Sequence, residues 1–199
     1  MTDEKQPRIR FKGFADDWEQ RKLGDIVHLN PKSILPDTFE YVDLDSVVGS
    51  QIMSYRAVSK KAAPSRAQRV AKNGDVFYQN VRPYQRNNAL YKSNLDRTFV
   101  FSTGYSQLRP TSRVDSKFLF LSVQVDKFVQ GVLRRSTGTS YPAINSSDLA
   151  TMPLLIPEIN EQKLIGSLLS NLEESIAANQ RRLEELQQLK KFLMQNMFV

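Results

Sequence analysis

The chain has 199 residues, 40% of them apolar and 25% charged, with no cysteine and one histidine; this excludes disulfides, thiolate zinc sites and a disordered composition. The net charge of +7 is uneven: residues 1–55 carry 7 basic and 10 acidic side chains, residues 56–135 carry 16 and 4, and residues 136–199 carry 5 and 7. No run approaches the roughly 18 apolar residues of a membrane span, and positions 1–30 lack the apolar core of a signal peptide, so a soluble, cytoplasmic chain with no membrane partner is expected.

In chain order, "GDIVHLN" (24–30) reads as a strand stopped at Asn30-Pro31, and its His28 is a packed or surface residue rather than a ligand. The basic segment follows, and a field of that sign attracts polyanions, nucleic acid being the commonest. It opens with Arg66 and Arg69 in "APSRAQRVAKNGD". "GDVFYQNV" (74–81) has the β-branched and aromatic content of a strand, with Asn73-Gly74 as the turn before it; Arg82, Pro83, Tyr84, Gln85, Arg86, Asn87 and Asn88 come directly after it, then Lys92 and Arg97. "TFVF" and "YSQLRP" read as two further strands around Ser102, Thr103 and Gly104.

"DSKFLFLSVQVDKFVQGVLRR" predicts one helix. Phe118, Leu121, Val125, Phe128, Val129 and Val132 recur three and four apart, Asp115 can cap the start, and Gly138 follows the end. Arg134 and Arg135 lead into a loop of Ser136, Thr137, Thr139 and Ser140 that ends at Tyr141, after which Asn145 and Asp148 start a short helical turn and "TMPLLIP" (151–157) is a last extended piece. The fold class is α+β: a mixed α/β body over 1–156 followed by one long helix over 157–199.

From Glu158 onward there is no proline and only one glycine, and good helix formers dominate. Ile165, Leu169, Leu172, Ile176, Asn179, Leu183, Leu186, Lys190, Leu193 and Met197 are spaced alternately four and three apart, the seam of a coiled coil. A rod on the order of 60 Å outreaches a body of this size, so part of it projects. Its leucines need a second helix, each being worth roughly 1.5 to 3 kcal/mol when buried. No other segment repeats the heptad, so the partner comes from another chain. Asn179 sits near mid-rod, where a buried amide favours one register; in an antiparallel pair the midpoints meet. These residues leave the choice between parallel and antiparallel open.

Catalytic patterns are missing. There is no G-x-S-x-G elbow, no G-x-x-x-x-G-K-[ST] and no G-x-G-x-x-G, and no metal site is expected. A binder remains, since Arg pairs with guanine and Asn or Gln with adenine while Lys and Arg hold phosphates. The candidate DNA contacts are Arg66, Arg69, Arg82, Tyr84, Gln85, Arg86, Asn87, Lys92, Arg134, Arg135, Ser136, Thr137, Thr139, Ser140 and Tyr141. Two other readings compete. A self-contained DNA methyltransferase or nuclease fragment would need an adenine-pocket or acidic metal motif that is not here, and a basic adaptor or inhibitor would use the rod only to bind another protein.

Several stretches in this order resemble the DNA specificity subunits of type I restriction-modification systems: "PRIRFKGFADDWEQRKLGDI", "GDVFYQNVRPYQRNNAL", "STGTSYPAINSSDLATMPLLIPEINEQKLIGSLLSNLEESI" and "LKKFLMQNMF". The resemblance implies two target recognition domains and two antiparallel helices per full-length subunit, each domain reading half of a split duplex target. It implies a subunit without catalytic residues or bound cofactor. Modification subunits methylate adenine with S-adenosylmethionine, and restriction subunits supply translocation and cleavage with ATP and Mg. With one domain and one helix, this chain would be a half-subunit or a truncated form that restores the arrangement as an antiparallel homodimer. The resemblance also assigns "VRPY" to a shared turn, leaving Gln85, Arg86, Asn87 and Asn88 without structural obligation and free to read bases.

Overall fold

The computed structural model describes residues 6–198, so the outermost residues of the two predicted domains lie outside the described ones. β1 (Glu19–Lys22) runs into a single helical turn, α1 (Leu23–Ile26), and then β2 (Val27–Leu29). The strand expected over 24–30 is thus only its second half. Leu23 and Ile26, three apart, are both fully buried, which one helical turn achieves and a strand of period two does not.

β3 (Thr38–Val42) is followed by a small ribbon, β4 (Val47–Val48) and β5 (Gln51–Ile52), and then by β6 (Arg56–Ser59) and β7 (Ala67–Val70). β8 (Val76–Gln79), β9 (Ala89–Leu90), β10 (Phe99–Ser102) and β11 (Tyr105–Pro110) complete this part, and β8, β10 and β11 coincide with the strands read from the sequence. Next come α2 (Ser116–Ser122) and α3 (Asp126–Leu133), where one helix is expected. The break has a cause. Val123 is fully buried, Gln124 is tied to Ser50 and Asn88 outside the helical path, and Val125 is extended at φ −70°, ψ 148°. Asp115 does cap α2, accepting from Lys117 N and Phe118 N. α4 (Ser146–Ala150), capped by Asn145, β12 (Pro153–Ile156) and α5 (Ile159–Asn196) end the chain.

Two four-stranded sheets face each other. One has the order β2-β11-β8-β9 and is antiparallel; the other is β6-β3-β10-β7, with β3 and β10 parallel. The chain crosses between them at Thr103-Gly104. Alternation along the strands sends Phe77, Phe99, Phe101 and Tyr105 between the sheets, where the Phe77 and Phe101 rings stack at 3.6 Å. The opposite residues of the first sheet, Val76, Tyr78 and Leu108, pack under α2 and α3. β1 pairs with β12 beside them, tying the N-terminal segment to the entry of α5.

One buried charge is fully provided for. Asp75, 1% exposed, accepts from Arg109 Nε and Nη2 at 2.8 Å, from Gln107 Nε2 at 2.7 Å and from Lys72 N at 2.8 Å. The carboxylate's hydrogen bonds push the Arg109 pKa up from its ordinary value. Asp75→Ala leaves these donors facing an apolar side chain, so a loss of about 3 to 5 kcal/mol is expected in urea unfolding.

α5 starts as part of the body. Glu161 is enclosed and receives Arg10 Nε and Nη2 at 2.7 and 2.8 Å, and Gln162 bonds Asp115 N, Arg113 O and Pro157 O. A Cβ on Gly166 would sit 2.9 Å from Lys117 Cβ, so the close crossing of α5 over α2 needs glycine there. Ile165, expected in the intermolecular seam, packs instead against the body's own core. The free stripe therefore begins at Leu169, and beyond residue 170 every described residue of α5 is exposed.

Candidate nucleic-acid interface

The strand end after β8 organises the site. Asn80 N donates to Gly104 O at 2.9 Å, Ile144 N to Asn80 O at 3.1 Å, and Arg82 N to Pro142 O at 2.7 Å, while Val81 and Thr137 both bridge to Ala143. Thr103 N donates to Arg66 O at 2.8 Å on the other side of the same corner. Segments far apart in sequence thus meet at one end of the paired sheets, and they carry Arg66, Arg82, Arg134, Arg135 and the loop of Ser136, Thr137, Thr139, Ser140 and Tyr141. Gly138 turns that loop at φ 90°, where a Cβ would lie 3.1 Å from Tyr141 O.

Arg82 adopts the left-handed conformation at φ 54°, and the turn Pro83–Gln85 follows, ending on Arg86 at φ 54° as well. Two left-handed residues that are not glycine cost energy, and such strain persists only where the surroundings hold it. Here Pro83 is buried, Arg82 N is bonded, and the Arg82 guanidinium lies 4.4 Å from the centroid of the Tyr141 ring. That cation–π contact joins the "RPY" turn to the 136–141 loop. Tyr84 at the tip is 50% exposed and Tyr141 61%.

The tail of this turn departs from expectation. Asn88 is buried, with Oδ1 accepting from Gln79 N at 2.8 Å and Nδ2 donating to Gln124 Oε1 at 2.8 Å. Asn87 Oδ1 accepts from Gly49 N at 3.2 Å, Arg86 pairs with Asp126, and Gln85 Oε1 accepts from Gln79 Nε2 at 3.1 Å. Asn88 is a structural amide, and Arg86 arrives with its charge compensated. Two further candidates stand apart. Arg69 is half-buried in β7 opposite Phe101, its Nε has no hydrogen-bond partner, and burial lowers its pKa. Lys92 follows Tyr91, whose backbone bonds Asp75 and Gly74 at the start of β8, on the order of 20 Å from Arg82 at strand rise.

The sequence reading overlooked the ribbon β4–β5, whose turn touches Asn87 and Gln124. A signal existed: "VVGSQI" places Gly-Ser between apolar pairs, a two-residue hairpin pattern. Among the described residues, no group of His, Cys, Asp or Glu could hold a metal ion, and no helix is long and apolar enough to cross a membrane.

The second candidate surface is the stripe on α5. Leu169, Leu172, Ile176, Asn179, Leu183, Leu186 and Leu193 are all exposed on one helix, with Lys190 in the same row and Met197, also exposed, at its C-terminal cap. Toward the C-terminal end Leu189, Met194 and Phe198 widen it into an open apolar groove.

Comparison with known proteins gives a consistent picture. The sequence pattern of the family described as type I restriction modification DNA specificity domain matches residues 15–188. The HindI type I restriction enzyme specificity subunit of Haemophilus influenzae is 23% identical over 190 residues, covering 92% of this chain and 41% of that protein. The HsdS subunit of Thermoanaerobacter tengcongensis has a TM-score of 0.70 at 29% identity, covering 89% of this chain and 47% of that one. A chain from a structure concerned with complex assembly and conformational transition of the type I R-M system has a TM-score of 0.73 at 28% identity, over 96% and 50%. The chain spans half or less of the length of each of these relatives.

Proposed function

The chain belongs to the type I restriction modification DNA specificity domain family, and from that premise we propose that it reads one half of an interrupted duplex target and directs a methyltransferase and endonuclease complex to it, without catalysis of its own. The observation that carries this reading is the gathering of Arg66, Arg82, Arg134, Arg135 and Tyr141 at one end of the two sheets, cations with stacking aromatics on loops bonded to rigid strands. S-adenosylmethionine, ATP and Mg would be bound by modification and restriction subunits, not by this chain.

The same reading pairs two copies through α5, antiparallel. With Leu169 of one helix level with Leu193 of the other, Ile176 comes level with Leu186, and the two Asn179 side chains occupy neighbouring layers at the centre. In that register Glu173 lies within one residue of the level of Lys190 of the other helix, an opposite-charge neighbour that parallel pairing does not offer, while Arg181 comes level with its own copy. Parallel pairing would also bring two basic bodies side by side. The body, 1–156, then acts as the reading domain and 157–199 as spacer and dimerisation element.

Mapping of methylated adenines in DNA from cells expressing the chain with its modification subunit tests the function. The expected result is a two-fold symmetric, interrupted motif that disappears when the chain is omitted; an unchanged methylation pattern would overturn it.

A further inference from the structure

The β4–β5 ribbon is a two-residue hairpin with Val48 opposite Gln51, and Gly49 and Ser50 at φ 55° and 72° match the turn that hairpins prefer. Its two faces differ. Val47 is fully buried and Ile52 packs with it against the core between the sheets, while Val48 is 58% exposed and Gln51 is exposed beside it. The inner face therefore holds the outer one still.

A directional chain of amides fixes where the tip sits. Gln79 N can only donate, so Asn88 presents Oδ1 to it and Nδ2 to Gln124 Oε1; Gln124 Nε2 then donates to Ser50 Oγ at 2.8 Å and to Arg86 O at 3.4 Å. Asn87 accepts from Gly49 N in parallel. The buried Asn88 and the partly buried Gln124 and Asn87 thus hold this hairpin against the 82–88 turn. Val47 and Ile52 anchor the ribbon's inner face, and these bonds set where its tip lies.

The tip is chemically unlike the rest of the interface. Residues 47–53 carry no charge, and Asp43 and Asp45 are exposed at the ribbon's base, so it is unsuited to phosphate. A two-stranded ribbon fits the major groove, an apolar side chain suits the thymine methyl, and glutamine pairs with adenine. We propose that the hairpin tip, through Val48 and Gln51, is a base-reading element of this DNA interface, with Asn88 and Gln124 as its positioning residues.

The inference rests on the DNA-reading function above, and the test separates the two. The full chain, assembled with its modification subunit, is used to select from a pool of random duplexes, in parallel with a Val48→Ala/Gln51→Ala double variant. Both side chains are exposed, so the variant should keep the wild-type melting temperature. The expected result is a motif degenerate at one or more positions and at least about a tenfold loss of preference for the wild-type motif over random duplex. Random-duplex affinity and its salt slope should stay within about twofold, since no cation is removed. Gln124→Leu should lose the same preference at an unchanged salt slope. A double variant that selects the wild-type motif with undiminished preference overturns the hairpin assignment alone. A wild-type chain that selects no motif overturns both readings, before any variant is compared.

Discussion

Duplex binding by the paired chain is expected to weaken about 10⁴-fold between roughly 50 and 200 mM salt. Arg66 and Arg82 sit on backbone bonded at one end of the paired sheets, and Arg134 and Arg135 lead from the end of α3 into the loop bonded there, Arg135 with one side-chain donor on Gly131 O. If each neutralises one phosphate, two copies release about eight counterions, a log–log slope near −7. Arg82→Ala should reduce the slope by about 0.9 per copy and also remove the cation that stacks on Tyr141. Arg82→Lys separates these roles. It keeps the charge, hence the slope, but loses the guanidinium placed over the Tyr141 ring that ties the 136–141 loop to the turn, so affinity should fall at every salt concentration. Lys92→Ala, at the far end of β8, should leave both slope and affinity unchanged. A titration in which Lys92→Ala changes the slope as much as Arg82→Ala would place the DNA on a different surface.

That contrast between Arg82 and Lys92 marks what the sequence could carry. Both lie in the basic segment beside strand-like residues, and charge alone does not say which end of a strand a side chain occupies. The deciding bonds, Arg82 N to Pro142 O and Val81 to Ala143, join positions about sixty residues apart and leave no local pattern. Asn88 is a sharper case. Its amide, beside Arg86 and Asn87 in sequence, has the composition of a reading surface, yet it is buried because Gln79 N and Gln124 need it. Hydrogen-bonding capacity is visible in a sequence; the partner that uses it is not.

Elements whose physics is local were legible. α5 declared itself because its heptad spacing and absence of proline are properties of neighbouring residues, and Asp115 and Asn145 act as caps within three residues of themselves. The predicted single helix over 115–135 failed where tertiary bonding of Gln124 overrode a helical period. Ile165 failed for a related reason: it fits the seam periodicity, but the period continues across the boundary between packing on the chain's own body and offering a surface to another.

A Leu183→Lys/Leu186→Lys double substitution should convert the chain to a monomer at micromolar concentration. α5 is 38 residues, about 57 Å, and beyond residue 170 every described residue of it is exposed. In a pair, the two substitutions remove four leucines from the seam, roughly 6 to 12 kcal/mol of burial, and bring the lysine at position 186 level with Ile176 of the partner helix and the one at position 183 level with Asn179. Dimer affinity should fall at least about 10⁴-fold, read by sedimentation equilibrium. The folded body should be untouched, because these positions lie well beyond Gly166, where α5 leaves α2, so an unchanged melting transition distinguishes lost pairing from unfolding. The consequence for recognition is separable too: the monomer keeps one reading end, so its salt slope should halve to about −3.6 and its preference for a two-fold target over a single half-site should vanish. Asn179→Leu acts in the opposite sense, strengthening association while removing the polar residue that disfavours shifted registers, so pairing should become tighter and less uniform. If the wild-type chain sediments as a monomer at about 10 µM and still prefers a two-fold target, the spacing role of α5 falls, because a single reading end has no means of measuring the distance to a second half-site.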